Sequence, residues 1–194
     1  MRRYWRLLLV AATVGACDSS ATTEVASIRA GDDSQFSARG ADRIAATGGG
    51  KYLFQGIAEV QFAFSSIQHA DGRVLGRFHQ KFDNGGFIVD VSGRVTCMAV
   101  DPVMHRAWIG GVITRNASTD PSLTGDIFQP GHDVWFRVVD YGEGSSLSQP
   151  DRTTFLGFEN NPTIKSSEQY CAEKPWPEGD ARTWPVVEGN IQVH

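Results

Sequence analysis

Apolar and polar positions alternate through the middle of the chain with a period of two, the mark of half-buried strands. Val60, Phe62 and Phe64 alternate with Gln61, Ala63 and Ser65, and beyond Ala70-Asp71-Gly72 a second apolar face carries Val74, Phe78 and Phe82. The pattern also selects the turn. A two-residue Asp71-Gly72 loop would set Phe64 against His79 and Phe62 against Lys81, mixing core with solvent. A three-residue loop, residues 70–72, sets Phe64 against Phe78 and Val60 against Phe82, leaving only Phe62 mismatched, with Gln80. The expected connection is a type I turn with a bulge, Gly72 in the left-handed position. His69 and His79 then fall on the polar face as solvated strand residues.

The richest β signal lies between Arg94 and Thr114, where β-branched and aromatic residues dominate on either side of Asp101-Pro102. Residues 95–100 and 106–114 are predicted strands. Residues 87–91 and 95–100 flank Ser92-Gly93 and read as a second tight hairpin, apolar on both faces and so covered on both sides. Gly110-Gly111 inside a strand marks a bend or bulge. Further strands are expected at 132–141, 153–158 and 186–193. No helical period exceeds about two turns, and no repeat recurs. The 16-residue stretch 116–131 is a long loop, and 141–150 a shorter one. Residues 159–184 are polar and Pro-rich, with Trp176 and Trp184 packing them onto the domain. The fold class predicted is all-β: one antiparallel barrel or sandwich of about eight strands over 48–158, with the segment 159–194 packed on it.

The N-terminus adds an address. Arg2, Arg3 and Arg6 precede the largely apolar run 7–16, too short to span a bilayer. The run ends in Val14-Gly15-Ala16-Cys17, which resembles the bacterial lipobox. That resemblance implies a signal peptide over 1–16, cleavage before Cys17, and diacylglycerol on the Cys17 sulfur. Residues 17–47 show no period and read as a disordered tether with about 30 Å of reach. The expected place is the bacterial cell envelope, membrane-anchored and facing the periplasm or exterior.

Export changes the charge and redox picture. Removing the three signal arginines takes the formal charge from −4 to −7, which argues against a nucleic-acid partner and against docking on anionic lipid by charge. The membrane contact expected is the lipid anchor alone. With Cys17 lipidated, Cys97 and Cys171 are the two thiols left in an oxidising compartment, which predicts one disulfide closing a 74-residue separation. Chain entropy gives such a loop about 4.5 kcal/mol before strain.

The segments Gly48-Gly49-Gly50, FAFSS at 62–66, HADGRVLGRF at 69–78, GRVTCMAV at 93–100, RAWIGGVIT at 106–114 and VWFRVVDYGEG at 134–144 together resemble a group of exported bacterial all-β lipoproteins of unknown function. The shared features are a V-T-C-L-x-V strand, from which Met98 departs conservatively, an A-W-I-G-G strand and a V-V-D-x-G-E-G strand end. The likeness covers about 48–144. It implies a fold and no mechanism.

Candidate chemistry is sparse. There is no G-x-S-x-G, H-E-x-x-H, phosphate-binding glycine loop or Cys-x-x-Cys. The strand aromatics Trp108, Trp135 and Phe136 read as core. In an up-and-down meander, Asp83, Asp101, His105, Asp140, Glu143 and Asp151 would gather at one end of the domain. Should that rim hold a cation, Ca²⁺ is the ion that suits oxygen ligands in number, with Asp140 and Glu143 beside flexible glycines as its ligands. A solvated acidic rim without an ion is the simpler reading. No other cofactor is expected. The function expected is a non-catalytic binding or structural module of the envelope, with a lipocalin-like carrier of a small apolar ligand as the alternative and an enzyme such as a hydrolase as the third reading. A filled interior favours the module, and a lined cavity the carrier.

Overall fold

The computed structural model describes residues 43–142, 149–178 and 181–194, so the signal segment, Cys17, most of the tether and Glu143 lie outside the described residues. Nine strands form one antiparallel sheet: β1 (Ile44–Phe54), β2 (Ala58–Gln68), β3 (Val74–Asn84), β4 (Phe87–Asp101), β5 (Arg106–Asn116), β6 (Asp133–Val139), β7 (Arg152–Thr153), β8 (Gly157–Phe158) and β9 (Trp184–Val193). The order β5-β4-β3-β2-β1-β9-β7-β6 closes on itself through β5–β6 pairing, giving an eight-stranded barrel. The ninth strand, β8, continues along the edge of β6 that β7 also uses. Closure leaves no long strand edge to be covered.

The β2–β3 hairpin has the predicted register. Phe64 faces Phe78 and Phe62 faces Gln80, with Gly72 at φ +82°. The mismatch is resolved inside the barrel, where the Tyr52 hydroxyl donates to Gln80 Oε1 at 3.3 Å.

Three expectations are corrected. Ser92-Gly93 is not a turn: β4 runs unbroken for 15 residues through it, with register shifts against β5 at Ser92/Gly93 and Val95/Cys97. Gly93 is there for room, since a Cβ would stand 2.3 Å from the Phe78 ring and from the Val112 carbonyl. The tether expected over 17–47 does not reach Thr47, because β1 begins at Ile44 and includes Gly48-Gly49-Gly50. Those glycines sit where β1 meets β9: Gly50 pairs with Gly189, and a Cβ on either would collide with the opposite backbone near 2 Å. The boundary at Phe158 also cuts the fold. Strand β9 lies between β1 and β7, so the C-terminus completes the barrel wall rather than packing on it. The irregularity near Gly110-Gly111 lies on the partner strand: Thr96 of β4 is the extra residue between Val95, opposite Gly111, and Cys97, opposite Gly110, while β5 itself runs in unbroken register against β6.

Inward-facing Tyr52, Val60, Phe62, Phe64, Phe78, Val91, Ile109, Phe136, Val138 and Ile191 fill the interior. Phe136 meets Phe64 edge-on at 5.4 Å and Phe78 at 6.0 Å. The space bounded by Phe62, Phe64, Phe78, Gln80, Phe136 and Leu156 has about 0 Å³ of room for water. Phe54 meets Phe155 and Trp184, each at 4.8 Å, and Phe82 joins Phe155 at 5.5 Å, closing the end that carries the β1–β2 and β3–β4 turns.

A second apolar layer lies outside β4–β6. Helix α1 (Ser167–Glu173), capped by the Ser166 hydroxyl on the Gln169 N–H, lays Tyr170 and Cys171 over Trp108, Trp135 and Ile164. The Cys97–Cys171 disulfide fixes it there, with Cα atoms 6.2 Å apart. The Trp108 indole N–H donates to the Pro175 carbonyl at 2.9 Å, and Trp176 packs against the same cluster. Trp108 and Trp135 are therefore buried as predicted, but in this outer layer rather than in the barrel.

Candidate functional site

The ends of the barrel follow from strand parity. With β4 counted as one strand, the connections at 69–73, 102–105 and 140–151 share one end, together with Ile44 and His194. The connections at 55–57, 85–86 and 117–132 share the other. Asp101, His105, Asp140 and Asp151 therefore stand at one end as expected, while Asp83 stands at the opposite one, where it accepts from the Gly86 N–H at 2.6 Å.

The carboxylates of the acidic end are spent on backbone amides. Asp101 accepts from Val103 and Met104 at 3.0 and 3.1 Å. Asp140 accepts from Gly142 at 2.7 Å and from Val193 at 2.9 Å. Asp151, buried, accepts from Tyr141 at 2.9 Å and from Ile191 at 2.7 Å. Asp140 and Asp151 thus clamp the β6–β7 connection to the end of β9. Among the described residues no group of three or more His, Cys, Asp or Glu side chains is placed to hold a metal ion. A groove of about 500 Å³ lies beside the clamp, between Met104, His105, Tyr141, Gln192 and His194.

The long loop 117–132 is also closed by its own side chains. Asn116 Nδ2 donates to the Leu123 and Phe128 carbonyls, both at 2.9 Å, and Phe128 turns in against Phe158 at 5.0 Å. At its far end His132 lies between Glu159 at 3.1 Å and Asp126 at 3.6 Å. The hydrogen bond to Glu159 holds the His132 pKa above the usual imidazole value. Burial works to raise the Glu159 pKa, but the Asp133 N–H and His132 outweigh it and the carboxyl sits below its usual range.

A broad open concavity lies on the outer wall of β2–β5. It measures about 840 Å³ and is lined by Ser65, Arg77, His79, Ser92, Arg94, Thr114 and Arg115 among others. Arg77 and Arg94 are direct cross-strand partners. Two residues along, on the same face, His79 faces Ser92, and Ser92 faces Arg115. Both His79 Nε2 and Arg115 Nη1 reach Asp90 Oδ1, at 3.1 and 3.2 Å, so one carboxylate serves two basic groups. The wall is basic in a chain whose formal charge is −4. Its basic character was not evident in the sequence, because the residues come from three strands with no local motif. His79 was placed correctly on the polar face, and the register of β3 against β4 was the missing signal.

A smaller recess of about 160 Å³ lies among Trp135, Tyr170, Trp176, Arg182 and Trp184. The Arg182 guanidinium already covers the Trp176 ring at 4.2 Å.

Fold and surface together define a closed eight-stranded antiparallel barrel with a side-chain-filled interior and a basic groove on its wall. Comparison with protein-family models, curated protein sequences and solved structures gives no match.

Proposed function

We propose that the protein is a lipid-anchored, non-catalytic binding module of the bacterial cell envelope that meets its partner on the outer wall of the barrel. The observation that carries this reading is the contrast between inside and outside. The interior is packed with Phe62, Phe64, Phe78 and Phe136, whereas the wall across β2–β5 keeps an open groove of about 840 Å³. A carrier needs a lined cavity of roughly 300 Å³ or more, so the filled interior supports the module over the lipocalin-like alternative. The export signal and Cys17 supply the anchor in this reading, and β1 enters the barrel at Ile44, at the end opposite the β3–β4 turn.

Photo-crosslinking in intact cells tests it. A benzophenone side chain at Thr114, in the groove, should trap a discrete partner. The same group at Glu188, on exposed β9, should not. Equal trapping at both positions, or none at Thr114, would overturn the proposal.

A further inference from the structure

The wall groove carries a chemical preference. Arg77 and Arg94 are directly opposite one another on β3 and β4, which brings their Cβ atoms to about 5 Å. Like charges placed so are destabilising. Among the described residues neither guanidinium makes an ion pair with a carboxylate, while Asp90, two residues along β4 from Ser92, already serves His79 and Arg115. Three guanidinium groups therefore border one groove with a single shared counter-charge. The hydroxyls of Ser65, Ser92 and Thr114 line the same space.

From this arrangement we infer that the groove is a binding site for a phosphate-bearing group. Guanidinium is the side chain that matches oxyanions through paired N–H donors, and its forks bind two oxygens at a time. A lone carboxylate offers its oxygens in one plane and suits one such fork. Three forks on three adjacent strands border one groove, which suits a tetrahedral phosphate or a short run of them. The bound anion supplies the counter-charge that Arg77 and Arg94 lack, so the cost of their juxtaposition is recovered when the site is filled. This inference rests on the proposed role of the wall as the binding surface and specifies its ligand.

Tripolyphosphate is the probe. Melting of the full chain is followed at sub-millimolar tripolyphosphate against sodium chloride of equal ionic strength, for wild type and for the double variant Arg77→Gln/Arg94→Gln. Both residues are exposed, so the variant folds. The wild type should melt a few degrees higher with tripolyphosphate than with chloride, since a ligand that binds only the folded state stabilises it. The variant should melt at or above the wild type without the anion, and should not respond to it. A wild type that ignores tripolyphosphate, or a variant that responds equally, overturns the inference. Sedimentation with phosphatidylcholine vesicles, with and without phosphatidic acid, separates the sources. Arg-dependent binding only to phosphatidic acid vesicles assigns the phosphate to a lipid headgroup, and a tripolyphosphate response without vesicle binding assigns it to a soluble or polymer-borne group. Trapping at Thr114 without any anion response would remove this ligand chemistry and leave the binding-module reading standing.

Discussion

Asp151 is the residue whose loss the fold should feel most for its size. It lies just before β7, 7% exposed, and its two oxygens each accept a backbone N–H, one from Tyr141 and one from Ile191 on β9. Asp151→Asn keeps the shape and one acceptor, but turns an NH₂ toward the other N–H. A hydrogen bond to a charged acceptor contributes about 1.5–3 kcal/mol, and a buried donor left unpaired costs about 1–3 kcal/mol. The sum is about 2.5–6 kcal/mol. For a domain of about 150 residues, that is a fall in melting temperature of about 5–20 °C. Asp140 makes similar bonds, to Gly142 and Val193, from a half-buried position, so Asp140→Asn should cost about 1 kcal/mol. Urea unfolding of the oxidised protein, followed by tryptophan fluorescence, measures both. An Asp151→Asn variant within 1 kcal/mol of wild type, or no weaker than Asp140→Asn, would refute the clamp.

Removing the disulfide by Cys97→Ala/Cys171→Ala should cost about 2–4 kcal/mol and loosen α1 before the barrel melts, read as early loss of hydrogen-exchange protection at 167–173. Because the His132 pKa is raised in the folded state, its contribution is complete below about pH 6.5 and is lost as pH rises through the folded value. The wild type should therefore lose stability relative to His132→Gln as pH rises above about 6.5, and urea midpoints that stay parallel on that rise would contradict it. Labelled fatty acid should mark the wild type and not Cys17→Ser in the native host, and label that persists in the variant removes the anchor.

What the sequence shows of this fold depends on whether a residue's role is local. The β2–β3 register was legible because Phe64 and Phe78 flank a short turn and only one loop length lets them meet. The disulfide was legible by elimination among thiols. Gly93 misled because a glycine that makes room for Phe78 looks, in one dimension, like a glycine that turns the chain. That single miscount at Ser92-Gly93 moved Asp83 to the wrong end of the barrel. The role of β9 was hidden because its partner, β1, lies more than 130 residues away in sequence, a separation no short-range pattern reports. The basic wall was hidden for the same reason: Arg77, Arg94 and Arg115 become neighbours only once three strands are paired.

The central claim is that binding takes place on the wall and not inside the barrel. Solution NMR of the labelled protein, titrated with an envelope extract from its own host, tests this directly. The account predicts shifts at the backbone amides of Arg77, Ser92, Arg94 and Arg115, with the interior methyl groups of Val91, Ile109 and Val138 unchanged. Shifts confined to those interior methyls, with the wall silent, would contradict it.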